Sequence, residues 1–480
     1  MCEQTIHSLA GRLPRRRFLQ TAAAGAILLG APGTIRAVDP RPRPNIVFIT
    51  TDQQHWRAYG AVDPFFDTPH IDGLARGGTV FTHAFCTTPQ CSASRSSIYT
   101  GLYPHKTRVI GNIESVRHDG APVPPLAEGT DTLGAKLRRA GYHTAYFGKW
   151  HLGNRDHFKT HFDVSELDGD AQAGATEKAL FYLEHRRHLP ETPFALFVNY
   201  INPHDIYEFT RKGLTGDIET PEVPVPLPPS WRDDLTKKPA PQLRFMREDQ
   251  GDLLYNKPRV FWERYRALYR EKCRMVDAEI GAVLKRLDAL GLAESTIVVL
   301  LSDHGDMDAN HGLIFKGPFM YEHLVRVPLI IRVPDACGGV APRATDAFAP
   351  LTDVLPTVCD FAGADPGAAD GQSLRPFLTG AGAMPERAFV VGQYYNKQRW
   401  VNPIRMVRTS AFKYTRYIRH GEELYDIEND PDEMVNLASD PAHRETKRML
   451  ADMLDGWMRD HGDTEFDAYW STDREGKRLG

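Results

Sequence analysis

The chain has 480 residues, of which 41% are hydrophobic and 25% charged, and a net charge of −4. That composition is ordinary for a soluble globular protein and excludes one built of membrane spans; the length exceeds a single small core and predicts a large domain with a smaller one. The acidic balance excludes nucleic acid as a natural partner.

The N-terminus stands apart. Arg15-Arg16-Arg17-Phe18-Leu19 precedes an apolar stretch over residues 21–32, and the segment ends near Ala37. This is the pattern of a twin-arginine export signal, read by the Tat translocon and implying a periplasmic or extracellular location. Pro14, Gln20 and Ile35 depart from the usual pattern. An uncleaved membrane anchor is the alternative, although the apolar run is short for a span. Residues 1–37 hold five arginines and one acid, so the remainder carries a net charge of −8. The expected organisation is a signal over 1–37, a catalytic domain over 38–378 and a C-terminal subdomain over 379–480.

After Pro-rich residues 40–44, Asn45-Ile46-Val47-Phe48-Ile49-Thr50 is continuously apolar and β-branched, as a strand buried on both faces requires. It stops at Thr51-Asp52-Gln53-Gln54. Three later runs share the design: residues 144–147 lead to Gly148-Lys149-Trp150-His151, residues 194–200 to Asn202-Pro203-His204, and residues 296–301 to Ser302-Asp303-His304-Gly305. Helical patterns lie between them, one over residues 132–140 and one from Tyr265 to Leu287 with Gly291 as its stop. Strands alternating with helices predict an α/β fold, a mainly parallel sheet sandwiched by helices. Ligands bind such sheets beyond the carboxyl ends of the strands, where Asp52, Lys149, His151, His204, Asp303 and His304 fall.

Two regions break the alternation. Residues 205–258 are rich in proline and charge and predict an extended surface loop, either over the site or a mere spacer. Beyond Asp370, short segments at 388–393, 405–409 and 413–418 and a helix near 444–459 predict a small antiparallel sheet with a packing helix. Cys86, Cys273, Cys337 and Cys359 have neither metal-like nor framework spacing.

Between the first and second long strands stands Thr87-Thr88-Pro89-Gln90-Cys91-Ser92-Ala93-Ser94-Arg95-Ser96-Ser97. Pro89 breaks regular structure, and the Ser and Thr residues suit N-cap positions. A helix starting near Cys91 sets Cys91 and Arg95 on one face at i, i+4, beside free backbone N–H groups that attract an anion. A cysteine alone is commonly a small buried hydrophobe, but polar surroundings argue otherwise here. Asp52, Gln53 and Asp303 offer oxygen, and His304 nitrogen, to a hard cation.

Cys91-Ser92-Ala93-Ser94-Arg95 resembles the sulfatase signature, in which Cys-x-(Pro or Ala)-x-Arg directs oxidation of the cysteine to formylglycine. Residues 45–52, Gly101-Leu102-Tyr103-Pro104-His105, Gly148 to Gly153, Pro203-His204, Asp303-His304-Gly305 with His311-Gly312-Leu313 and Lys316, and Glu423-Leu424-Tyr425-Asp426 are similar to the family in the expected order. The resemblance implies an alkaline-phosphatase-like core with a smaller C-terminal α+β domain, one divalent cation at Asp52, Gln53, Cys91, Asp303 and His304, and formylglycine at position 91. It implies that Asp303 is the base for the attack on sulfur, that His151 takes a second proton, that His204 and Lys316 serve the leaving oxygen, and that Arg95 and Lys149 hold the modified residue. Asn112, His311 and His105 are weaker candidates for substrate contact.

Two departures bear on this reading. Ala93 replaces the commoner proline, and such forms resemble substrates of oxygen-independent, radical-type maturases. Gln53 and His304 stand where other members have Asp and Asn, so the site carries less formal charge; calcium fits best, with manganese and magnesium as alternatives. The rival readings are a phosphonate or phosphodiester hydrolase of the same superfamily and, if Cys91 stays a thiol, a non-catalytic binder of sulfated glycans. Sulfated small molecules or glycans are the expected partners.

Overall fold

A computed structural model describes residues 43–168, 174–189, 191–212, 224–466, 470–473 and 475–478, so the export signal expected over 1–37 lies outside the described residues. All of them fall within one unit, Pro42–Gly480. The apolar run after the Pro-rich linker becomes β1 (Asn45–Asp52), buried from Ile46 onward. The other strands of its sheet are β2 (Thr79–Phe81), β4 (His143–Lys149), β5 (Val164–Asp168), β6 (Phe194–Pro203), β7 (Thr296–Ser302), β8 (Leu329–Arg332) and β9 (Arg343–Thr345), with β3 (Ala84–Phe85) and β10 (Ala349–Pro350) forming a separate pair. Spatial order is β5-β4-β6-β1-β7-β8-β2-β9. The five strands from β5 to β7 are parallel, while β8 runs antiparallel to β7 and to β2.

Alternation along β1 and β7 supplies two core layers. Ile46, Phe48, Ile297 and Val299 pack with Ile98 and Tyr99 of helix Cys91–Thr100, with Leu133 and Leu137 of helix Leu133–Arg139, and with Val354 and Val358 of helix Val354–Ala362. Val47, Ile49, Val298 and Leu300 face the other way, onto helices Pro69–Arg76, Ala175–Arg186 and Arg259–Ala289. Each such buried side chain contributes roughly 1.5–3 kcal/mol of transfer free energy, and neither β1 nor β7 has a solvated face.

Register sets the chemistry. Thr51 pairs with Ser302, Asp52 with Pro203 and Gly148 with Asn199, so the ends of β1, β4, β6 and β7 share one sheet edge. The β4–β6 approach there requires glycine: Gly148 has φ 102°, and a Cβ would meet the Asn199 carbonyl oxygen at 2.1 Å.

Strands β11 (Phe389–Lys397), β12 (Trp400–Thr409), β13 (Phe412–Tyr417) and β14 (Gly421–Asp426) form the expected antiparallel sheet in chain order. Helix Arg444–His461 covers it through Leu450, Leu454, Trp457 and Met458, and Tyr103 from the signature side stacks edge-on against Trp457 at 4.7 Å. Residues 205–258 correct the expectation of an extended loop. Positions 213–223 lie outside the described residues, but helix Ala240–Glu248 buries Gln242, Phe245 and Met246 at helical spacing. Gln242 Nε2 bonds Glu423 at 2.8 Å and Lys238 donates to the Glu433 carbonyl at 2.9 Å, so the segment is held against the C-terminal sheet. No helix among the described residues is long and apolar enough to cross a membrane.

Candidate active site

Helix Cys91–Thr100 begins at Cys91 itself, with Gln90 as an extended N-cap that makes no side-chain capping bond, and ends at left-handed Gly101. The Ser and Thr residues before it therefore do not cap. Asn112 does that work, its Oδ1 accepting from the Ser92 N–H at 3.1 Å, which occupies one of the donors at this helix start. Cys91 and Arg95 point to the same edge of the sheet, as their spacing predicts.

Around Cys91 the strand ends converge. Lys316 Nζ lies 2.9 Å and His304 Nε2 3.2 Å from Cys91 Sγ, and Asp52 Oδ1 lies at 3.7 Å. His151 and His204 also stand close enough to Cys91 to act on its charge. Burial raises the thiol, but Lys149, Lys316, His304 and the His151 bond overcome that and hold it well below its ordinary value.

Arg95 sits one turn behind and is fully buried. Its Nε bonds Asp303 Oδ2 at 2.9 Å, one terminal nitrogen bonds Asp52 Oδ2 at 3.0 Å, and the other reaches the Lys149 carbonyl at 3.0 Å. Lys149 Nζ pairs with the same Asp52 oxygen at 2.9 Å. Of the two carboxylates, Asp52 is held low by Lys149, His204 and Arg95 against its burial, whereas burial and Asp52 raise Asp303. Arg95 and Lys149 thus hold the two carboxylates.

Asp52, Cys91, Asp303 and His304 place one ligand atom each within 4.8 Å of one another, a spacing that fits a metal ion. His304 is oriented for it: Nδ1 faces the Gly305 carbonyl at 2.9 Å, a group that only accepts, so Nδ1 carries hydrogen and a neutral ring presents its Nε2 lone pair to the cluster. Gln53, in a left-handed conformation at φ 69°, donates Nε2 to Asp306 at 2.7 Å and turns Oε1 toward Lys316 Nζ at 2.8 Å. The cluster thus offers two carboxylates, an imidazole and the side chain of residue 91, with the Gln53 amide oxygen turned to Lys316 nearby, a set suited to a hard or borderline cation.

His151 is pushed up to about 9: burial disfavours its charge, but bonds to Cys91 and Glu114 outweigh it. His204 is pushed down to about 4 by burial, Lys149 and Lys316. Burial lifts the Asp306 carboxyl to about 7 despite its bonds to Gln53 and the Asp308 N–H. Ten expected residues therefore meet here: Asp52, Gln53, Cys91, Arg95, Lys149, His151, His204, Asp303, His304 and Lys316. Asn112 is engaged at the helix start. His311 belongs to another buried group, with Nδ1 2.7 Å from Asp233 and its ring stacked on Tyr321 at 3.8 Å. His105 contacts Gln393 and the His461 carbonyl. Sequence reasoning missed Glu114, an isolated acid with no motif around it, and Asp306, whose only signal is its place in the acid-rich stretch after His304.

A parallel α/β sheet with a buried cysteine at a helix start, a buried pair of carboxylates and the cations Arg95, Lys149 and Lys316 at its edge fits a hydrolase of anionic esters in the alkaline phosphatase superfamily. The sulfatase family model matches residues 44–364, and a model for the C-terminal part of N-sulphoglucosamine sulphohydrolase matches residues 309–460. A Δ4,5-hexuronate-2-O-sulfatase of Bacteroides thetaiotaomicron is 30% identical over 455 residues, covering 90% of this chain and 92% of its own. A solved 2-O GAG sulfatase superposes with a TM-score of 0.79 at 27% identity, covering 92% of this chain and 98% of its own. The phosphonate monoester hydrolase of Agrobacterium radiobacter shares the fold, with a TM-score of 0.64 at 22% identity over 91% of this chain and 100% of its own. The chain belongs to the sulfatase family and is a sulfatase enzyme.

Proposed function

We propose that the chain hydrolyses a sulfate ester on a carbohydrate, with residue 91 as nucleophile after oxidation of Cys91 to formylglycine and with one divalent cation, calcium, held by Asp52, Gln53, residue 91, Asp303 and His304. The observation that carries this reading is the convergence of Lys149, His151, His204, His304 and Lys316 on Cys91 in front of two buried carboxylates. The charged lysines in this group let an anionic ester approach a nucleophile that is itself becoming anionic. The two groups would supply paired hydroxyls on one carbon and a Lewis acid.

The chain's own residues do the rest. Asp303, its carboxyl raised by burial and Asp52, takes the proton from residue 91 as it attacks. His151 takes the second proton, which frees sulfate. A serine or a thiol at position 91 has one proton to give, so neither completes the cycle. Lys316 supplies positive charge and a proton to the leaving alkoxide beside His204, and Arg95 and Lys149 keep Asp52 and Asp303 in place. Ala93 fits maturation by a radical-type enzyme, and a twin-arginine signal over 1–37 would deliver the enzyme to the periplasm or beyond, where sulfated polysaccharide is met.

The names of the two similar sulfatases make a 2-O-sulfated hexuronate the first substrate class to assay. The test is sulfate release, read by ion chromatography, from 2-O-sulfated unsaturated hexuronate disaccharides, 6-O-sulfated N-acetylglucosamine, an aryl sulfate and an aryl phosphonate. Release from a sulfated sugar is the expected result; faster turnover of the phosphonate by orders of magnitude would overturn it. Peptide mass spectrometry of the segment containing Cys91 separates this reading from that of a glycan binder, in which the thiol persists.

A further inference from the structure

We propose that Glu114 is a positioning residue that holds the His151 imidazole by one nitrogen so that the other faces residue 91. The inference rests on the reading of residue 91 as nucleophile and assigns a role to a side chain outside every motif. Glu114 Oε2 lies 3.0 Å from His151 Nε2, which leaves Nδ1 as the ring nitrogen not turned to the carboxylate, and Cys91 stands near the ring. The ring has two-fold freedom about its outer torsion, and a fixed acceptor at one nitrogen selects between the two orientations. A carboxylate only accepts, so Nε2 carries a hydrogen toward Glu114 and Nδ1 is the nitrogen that exchanges a proton with residue 91. The same carboxylate stabilises the imidazolium that forms when His151 takes that proton.

The placement of Glu114 is built rather than incidental. On one side its loop is tied to the helix that carries Cys91: Asn112 Oδ1 accepts from the Ser92 N–H, and the Ile113 N–H donates to Ser92 Oγ at 3.3 Å. On the other it is tied to the β11–β12 turn, where the Val116 N–H donates to the Gln398 carbonyl at 2.9 Å and the Gln398 N–H to Ser115 Oγ at 2.9 Å. Lys397, the last residue of β11, donates to the Lys316 carbonyl at 2.6 Å. His151 is fixed from its own side, in a left-handed conformation at φ 55°, between buried Trp150, whose Nε1 bonds the Gly153 carbonyl at 2.8 Å, and Leu152, whose carbonyl accepts from the Leu126 N–H at 2.9 Å. Carboxylate, imidazole and residue 91 are therefore referred to one rigid frame, and the Glu114 side chain, half of it exposed, adds little to the core.

The test is a double-mutant cycle on the matured full chain with Glu114→Ala, His151→Ala and both, assayed with 4-methylumbelliferyl sulfate and a 2-O-sulfated unsaturated hexuronate disaccharide. Glu114→Ala is expected to lower kcat about 10- to 100-fold while KM stays within about threefold. In the His151→Ala background it is expected to add less than about threefold, because a residue acting through another has nothing left to position. An unchanged kcat, a raised KM with intact kcat, or a loss that multiplies in full in the double variant would overturn the role. If Glu114→Ala lowers the melting temperature, Glu114→Gln, of the same shape, carries the same comparison. A His151→Ala variant with wild-type kcat would overturn the assignment of His151 as well, and that failure is distinguishable from one confined to Glu114.

Discussion

Arg95 donates Nε to Asp303 Oδ2 at 2.9 Å with neither side chain exposed to solvent. A second nitrogen of the same guanidinium holds Asp52, so a single planar fork keeps two like charges side by side at the edge of the sheet. Removing it as Arg95→Ala leaves both carboxylates buried beside one another, and urea unfolding of metal-free protein should show a loss of about 3–5 kcal/mol. Arg95→Lys should recover only part of it, since an ammonium lacks the fork. Full recovery by lysine would mean that charge alone, without the planar geometry, holds the pair.

Cys91→Ser and Cys91→Ala are expected to abolish sulfate release and to leave the melting temperature near that of the parent chain. The cysteine contributes little to the core beyond its small buried volume, whereas it is the point on which four strand ends converge. Measurable turnover in either variant would reject residue 91 as nucleophile.

Chelation with EGTA should abolish sulfate release, and calcium should restore it, with elemental analysis of the untreated enzyme giving one ion per chain. Asp306→Asn, which replaces the carboxylate that holds the Gln53 amide, is expected to weaken calcium binding about tenfold by calorimetry. Unchanged affinity would remove Gln53 from the ligand set.

Just after helix Arg444–His461, Asp463 Oδ1 and Oδ2 accept from buried Arg405 of β12 at 2.8 and 2.5 Å, and Gln393 of β11 adds a third bond at 2.7 Å. Burial raises the Asp463 carboxyl, but Arg405 and the Gln393 bond outweigh it, so its folded value lies below the unfolded one. A depressed carboxyl contributes stability that is fully present above the unfolded value of about 4 and is lost as pH falls through the folded one. Asp463→Asn should therefore lower stability at neutral pH and flatten the acid limb of a pH series of urea unfolding curves. An unchanged slope below about pH 4 would assign acid lability to other groups.

Gly148→Ala is expected to cost about 2–4 kcal/mol, because β4 and β6 meet there with a positive φ and no room for a methyl group. Activity should fall with stability, since Lys149 follows directly and its carbonyl binds Arg95. Thermal unfolding of the variant measures the first effect and sulfate release the second.

Residue pattern alone determined the α/β class, the four strands that end in charged or ligating residues, and the helix start at Cys91. Those are local properties: a continuous β-branched run must be buried on both faces, and the residue at which it stops must lie at the sheet edge. The same logic brought Asp52, Lys149, His204 and Asp303 together, because parallel strands in register align their ends. Only the tertiary structure decided which partner each side chain takes. Glu114 reaches His151 and Asp306 reaches Gln53 through loops whose paths no local periodicity encodes, and His311 leaves the site for Asp233 because residues 224–258 fold back onto the C-terminal sheet. A strand end is placed by its own sequence; a loop carboxylate is placed by the packing of the elements on either side of it.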